Sequence, residues 1–165
     1  MYPLSCRRLA LDYTMCLMES ERNQPEPRIT TRRFLDEQRS ARLATVDGRG
    51  RPHVVPIVYV YDGRVVYTPI DRKPKAVEPE GLRRVRNIRS NPHVQVLVDH
   101  YDEDWRRLGY VQLRGTAVIL EGGPEFLTAI GLLEAKYPQY RELPLEGRPV
   151  IKISIEQTVT WGRIM

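Results

Sequence analysis

From residue 41 onward the chain is written in short runs whose apolar residues alternate with polar ones or crowd together, punctuated by glycine and proline. "ARLATVD" (41–47) predicts a first strand, and "GRG" supplies turn glycines. "RPHVVPIVYVY" (51–61) predicts one long second strand. Val54, Val58 and Val60 fall on one face, with His53, Val55, Ile57, Tyr59 and Tyr61 on the other, so both faces are expected to be covered. Pro52 and Pro56 cannot donate to a ladder and predict a bulge or an open edge. Asp62-Gly63 is a tight hairpin turn, where glycine tolerates positive φ. "RVVYTPI" (64–70) returns as the third strand, "HVQVLVD" (93–99) is the fourth, and "YVQLRGTAVILE" (110–121) is the fifth, with Gly115 marking a bend or bulge. "RPVIKISIEQTVTW" (148–161) is the last.

Helical periodicity occurs in three places. Thr30 or Thr31 is placed to cap a short helix carrying Phe34 and Leu35. In "GLRRVRNIRSNP", Leu82, Val85 and Ile88 share a face before Asn91-Pro92 stops the helix. Pro124 opens a third helix, in which Phe126, Ile130, Leu133 and Tyr137 recur at helical spacing, and Pro138 closes it. Tight connections and interspersed helices do not make repeating βαβ units. The pattern predicts a mainly β chain: a six-stranded antiparallel barrel flanked by helices. So small a barrel leaves little interior, so a ligand is expected outside it, where two barrels meet.

Composition then narrows the picture. At 165 residues, with 41% hydrophobic and 28% charged, the chain suits a single folded domain. Residues 1–28 read as an extension ending in the polar, proline-bearing "ERNQPEPRI", and 29–165 as the domain. The formal charge of +5 makes anionic partners plausible without selecting one. Cys6 and Cys16 have no metal-ligand spacing and imply neither a zinc site nor a disulfide framework. No apolar run approaches a membrane span and no signal peptide is evident, so a cytoplasmic location is expected. "VVYTPIDRKPK" (65–75) ends a strand in Arg72, Lys73 and Lys75, which read either as an anion site or as a solvated loop. Arg83, Arg84, Arg86 and Arg89 surround an apolar helical face without interleaved aromatics. They read as a solvated face, and no nucleic-acid partner is expected.

The series "ARLATVDGRGRPHVVPIVYVYDGRVVYTPIDRKPKA", "RNIRSNPHVQVLVD" and "LRGTAVIL" resembles the pyridoxamine 5′-phosphate oxidase-like split-barrel family, of FMN-binding type. "VDHYDEDW" looks most like a subgroup of coenzyme F420-dependent enzymes. The resemblance spans roughly residues 30–161. It implies a homodimer of split β-barrels with a flavin or deazaflavin in each interface groove. His53, Val54, Val55, Pro56 and Ile57 match the strand beneath the cofactor ring. Tyr67 and Thr68 match the strand end below the ring and ribityl chain, and Lys73 and Lys75, with Arg72, match the phosphate-binding residues. Trp161 matches a position near the cofactor, or packs in the core, and Trp105 stacks near the ring or anchors the interface. Tyr110 stands where the oxidases carry a flavin-contacting glutamine, which departs from their pattern.

Catalysis by His53 is weighed against a histidine packed between strands, the plainer reading. The acidic loop Asp99–Trp105 lacks the spacing of a calcium loop, so no metal is expected and cross-subunit ion pairs are. The chain ends "TWGRIM", leaving only Arg163 where the oxidases clamp substrate phosphate with an arginine–histidine pair. The resemblance implies an F420-dependent reductase acting on a small organic substrate, with no identified catalytic side chain. The alternatives are an FMN-dependent oxidoreductase of the same fold and a non-catalytic flavin- or haem-binding protein. Haem would draw its axial ligand from His53, His93 or His100.

Overall fold

A computed structural model describes residues 29–71, 79–145 and 147–164. Helix α1 (Ile29–Glu37) turns Thr31, Phe34 and Leu35 inward and ties its exposed side with an Arg33–Glu37 pair at 2.7 Å. Thr30 and Thr31 lie inside this helix; the cap expected of them is not made there. Strand β1 (Ala41–Val46) alternates buried and open positions, as its sequence requires. At the following turn the Asp47 carboxylate accepts from the backbone N–H groups of Arg49 and Arg51 and from Arg51 Nε at 2.7 Å. Those bonds, the Arg51 backbone N–H foremost, hold its pKa down at about 2.

The expected long second strand is two strands, so the sheet has seven rather than six. β2 (Pro52–Ile57) pairs with β1, whereas β3 (Val60–Tyr61) pairs with β4 (Val65–Pro69). After α2 (Arg83–Ser90) come β5 (His93–His100) and β6 (Gly109–Leu120). Helix α3 (Pro124–Lys136) and β7 (Val150–Gly162) complete the chain. All pairings are antiparallel, in the order β2-β1-β5-β6-β7-β4-β3.

β2 and β3 thus sit at opposite edges of the sheet, yet only Val58 and Tyr59 separate them in the chain. Three virtual bonds reach at most about 11 Å, so the two edges must come together and the sheet must curl into a split barrel. The break is invisible to periodicity because Ile57, Tyr59 and Tyr61 remain buried straight through it. What replaces the ladder there is one hydroxyl. The Tyr59 N–H donates to the Tyr137 oxygen at 3.0 Å, and the Tyr137 O–H lies 2.8 Å from the Tyr59 carbonyl and 3.0 Å from that of Arg39.

The barrel interior is filled by Leu43, Val66, Val96, Val98, Val111, Leu113, Ile151 and Ile153, with Phe34, Leu35, Val85 and Ile88 from α1 and α2. α2 is latched to β1 by the buried Asn87 amide, which donates to Thr45 Oγ at 3.0 Å. A second apolar layer packs Phe126, Ala129 and Leu133 of α3, with Tyr137, against Val60, Tyr67 and Val150. Opposite Gly115 the register between β6 and β7 slips, as the glycine suggested, and a Cβ there would overlap the Ser154 carbonyl. No helix among the described residues is long and apolar enough to cross a membrane.

Candidate functional site

β2 is an edge strand with an unbroken register to β1, so its prolines mark an open edge and no bulge. Proline cannot donate to a ladder, so Pro52 and Pro56 must point their nitrogens away from β1. Val54 shares their phase, and its N–H is therefore the one donor that this stretch offers at the open edge. The expectation that both faces of this strand are covered fails within a single chain. Pro52, Val54 and Pro56 face outward, and Val54 is 57% exposed.

Cross-strand partners share a face, which extends this outward surface across the sheet. Pro56 aligns with Arg42, Leu97, Gln112 and Val159 in successive strands, and Val54 with Ala44, Gln95, Arg114 and Gln157. Trp161 lies on the same face, stacked on Tyr110 with ring centroids 5.5 Å apart and planes 21° from parallel. Arg42 Nη1 meets Asp99 Oδ1 at 2.6 Å, an ion pair within the chain. Between them, Ala44, Val46, Gln95, Arg114 and Gln157 line an open concavity of about 490 Å³. The structure therefore gathers Val54, Pro56 and Trp161 on one half-apolar surface.

The other expected residues are divided. His53, Val55 and Ile57 alternate to the inner side of β2, Ile57 fully so. Tyr67 is buried, and its hydroxyl donates to Glu125 Oε1 at 2.9 Å. Lys152 Nζ holds the same carboxylate at 2.7 Å. Burial first, then that hydrogen bond, raises the Tyr67 pKa, and the Lys152 and Tyr67 bonds lower that of Glu125. This side chain pins α3 to the sheet. Thr68 is 1% exposed and faces inward, so in a single chain neither residue presents its side chain at the surface. Trp105, 75% exposed, sits on the turn between β5 and β6. Arg72, Lys73 and Lys75 lie outside the described residues, as do Cys6 and Cys16.

What brackets the basic segment is described. Before it, Asp71 accepts from the Tyr140 hydroxyl at 3.2 Å; after it come a short 3-10 turn (Pro79–Gly81) and then the first turn of α2. Arg84 is half-buried there, its pKa lowered by burial against the opposing pull of Asp71. His53 feels both Arg83 and Arg84. Burial first, then those two charges, lowers its pKa, so the imidazole is neutral at pH 7 and a poor proton donor. The sequence places both arginines on a solvated face: Arg83 is exposed there, as expected, whereas Arg84 is half-buried. Within a single chain the carboxylates of the acidic loop pair with neighbouring arginines. Asp102 meets Arg107 at 3.5 Å, and Asp104 meets Arg106 at 2.9 Å.

A sequence model described as pyridoxamine 5′-phosphate oxidase matches residues 29–162. The chain belongs to the pyridoxamine 5′-phosphate oxidase family. Among curated proteins none matches it in sequence. In fold it is similar to the conserved hypothetical protein Rv2991 of Mycobacterium tuberculosis (20% identity, TM-score 0.67, 87% of this chain and 89% of that one). The same holds for HutZ, the haem storage protein of Vibrio cholerae (19% identity, TM-score 0.62, 79% and 89%). A heme binding protein of Mycobacterium smegmatis shares the fold over 86% of this chain and 56% of its own, at 15% identity and a TM-score of 0.66. At such identities these likenesses speak to fold alone, and fold does not carry function. Proteins of this fold commonly bind flavin or haem.

Proposed function

We propose that the chain is a homodimeric oxidoreductase of the split-barrel family that uses coenzyme F420 to reduce a small organic substrate. The observation that supports it most is the outward face. Val54, Pro56, Leu97 and the Tyr110–Trp161 stack form a half-apolar surface that suits a second copy and a planar ring, and on the inner side of β2 His53 feels the charges of Arg83 and Arg84.

On this reading each group has a definite task. The Val54 N–H at the open edge orients the ring's polar edge, and Val54 and Pro56 supply apolar contact beneath it. Arg83 and Arg84, together with Lys73 and Lys75 of the intervening segment, hold the anionic tail through charge-assisted bonds. A bound deazaflavin supplies hydride chemistry that no side chain offers. The protein's share is binding, orientation and the exclusion of water. His53, neutral beside two arginines, helps set the shape of that inner side of β2 and is not the proton donor.

Titration of the full chain with F420 and with FMN, followed by tryptophan quenching, tests the reading. F420 is expected to bind more tightly. Lys73→Ala with Lys75→Ala should weaken binding at least tenfold, since such bonds contribute about 1.5–3 kcal/mol each. Tight FMN binding with no F420 binding transfers the assignment to a flavin enzyme of the same fold. The haem-binding alternative predicts instead a Soret shift on adding haem that is lost in one of His53→Ala, His93→Ala or His100→Ala.

A further inference from the structure

A second concavity, of about 350 Å³, opens between the C-terminal end of α1 and the turn joining β5 to β6. Glu37 lines it from the end of the helix and Gln38 from just beyond, His100 from the end of β5, Asp102 and Arg107 from the turn, and Arg163 from just beyond β7. We propose that this cleft binds a small organic monocarboxylate bearing a hydroxyl or ammonium group.

The charge balance argues for it. Glu37 is already committed to Arg33 at 2.7 Å. Asp102 is shared by Arg107 Nη1 at 3.5 Å and His100 Nε2 at 3.9 Å, so it backs both of these donors where they border the cleft. Arg163 is different. Among the described residues its guanidinium makes no hydrogen bond or ion pair, and its influence on Asp104 is a longer-range attraction. The cleft therefore keeps one unspent positive charge, which one anionic group would balance.

The backbone holds that charge at the cleft. The Arg163 N–H donates to the Leu108 carbonyl at 2.8 Å. Gly162, immediately before it, has φ +72° and no room for a Cβ against the same carbonyl. That is a conformation glycine adopts at little cost, and it ends the strand and swings the arginine out of the ladder's alternation. A guanidinium so placed can grip a planar carboxylate with two parallel bonds. A dianionic phosphate would face two carboxylates, Glu37 and Asp102, lining the same cleft. A hydroxyl or ammonium on the carboxylate's neighbouring carbon finds acceptors in those same groups and in the Gln38 side-chain carbonyl. The site stands whether or not the cofactor assignment holds.

Calorimetric titration of the full chain with L-lactate, L-serine and inorganic phosphate tests the proposal. The expected result is saturable binding of at least one of the two carboxylates, one per chain, and none of phosphate. Arg163→Gln should weaken binding at least tenfold, whereas Arg141→Gln, at an exposed position outside both concavities, leaves it unchanged. Arg163 is exposed, so the variant folds, as the circular dichroism spectrum will show. No heat from either carboxylate at about 10 mM overturns the proposal, as does binding indifferent to Arg163→Gln or tighter binding of phosphate.

Discussion

Replacing Tyr137 with phenylalanine removes a single oxygen and tests how the barrel turns its corner. That oxygen accepts from the Tyr59 N–H at 3.0 Å, and its proton lies within reach of the Tyr59 and Arg39 carbonyls. Tyr59 is completely buried, so its backbone groups have no water to turn to. A phenylalanine ring keeps the edge contact with Tyr140, centroids 6.1 Å apart, and opens almost no cavity. The loss is therefore the cost of orphaned backbone groups, about 1–3 kcal/mol for each, and two are affected at once. We expect a destabilisation of about 2–6 kcal/mol. In urea the midpoint should fall with an unchanged m-value, and the melting temperature should drop by roughly 4–24 °C for a chain of this size. A loss below about 0.5 kcal/mol would show that the link between β2 and β3 is satisfied by other means, and this account of the corner would fail.

Lys136 lies 4.3 Å from the Tyr59 ring centroid and donates to the Leu35 carbonyl, and burial lowers its pKa to about 8. The unfolded chain keeps that proton longer, so stability should rise from about pH 8 to pH 10, by about 1–2 kcal/mol after allowing for solvent screening. Above pH 10 the sign reverses, because burial raises the pKa values of Tyr59, Tyr67 and Tyr140 and the unfolded tyrosines ionise first. Lys136→Met should flatten the rising limb in a pH series of urea melts. Gly115→Ala should cost about 1–3 kcal/mol, since the new methyl meets the Ser154 carbonyl, a backbone atom that cannot swing aside. Thr45→Val should cost about 1–3 kcal/mol by orphaning the Asn87 amide, and adding Asn87→Leu should recover part of it, a non-additivity that a double-mutant cycle measures.

Local chemistry was legible in the sequence wherever one residue type settles a conformation. Asp62-Gly63 makes its turn, with Gly63 at φ 115° and the Asp62 carboxylate accepting from the Arg64 and Val65 N–H groups. Pro124 and Pro138 bracket α3, and Gly115 marks the bulge. The strand break was not legible, because alternation continues through Val58 and Tyr59 while the hydrogen-bond partner changes. That partner is a hydroxyl 78 residues further on, a relation no local pattern carries. The same limit applied to the site. Val54, Pro56 and Trp161 fall on one face only because the register places them there, and Tyr67 was drawn to Glu125 by a helix packed behind it. Arg83 reads as solvated and is exposed, whereas Arg84, read the same way, is half-buried within the influence of Asp71. Charge in a sequence gives sign and number, while depth and neighbours come from the fold.

The central claim is that two copies of the chain together hold a tricyclic redox cofactor. Sedimentation velocity of the full chain with coenzyme F420 present, observed in the cofactor's visible band, tests it most directly. The account predicts that the colour moves with a particle of twice 19.2 kDa. Protein sedimenting as a 19.2 kDa monomer while the colour stays behind would contradict it.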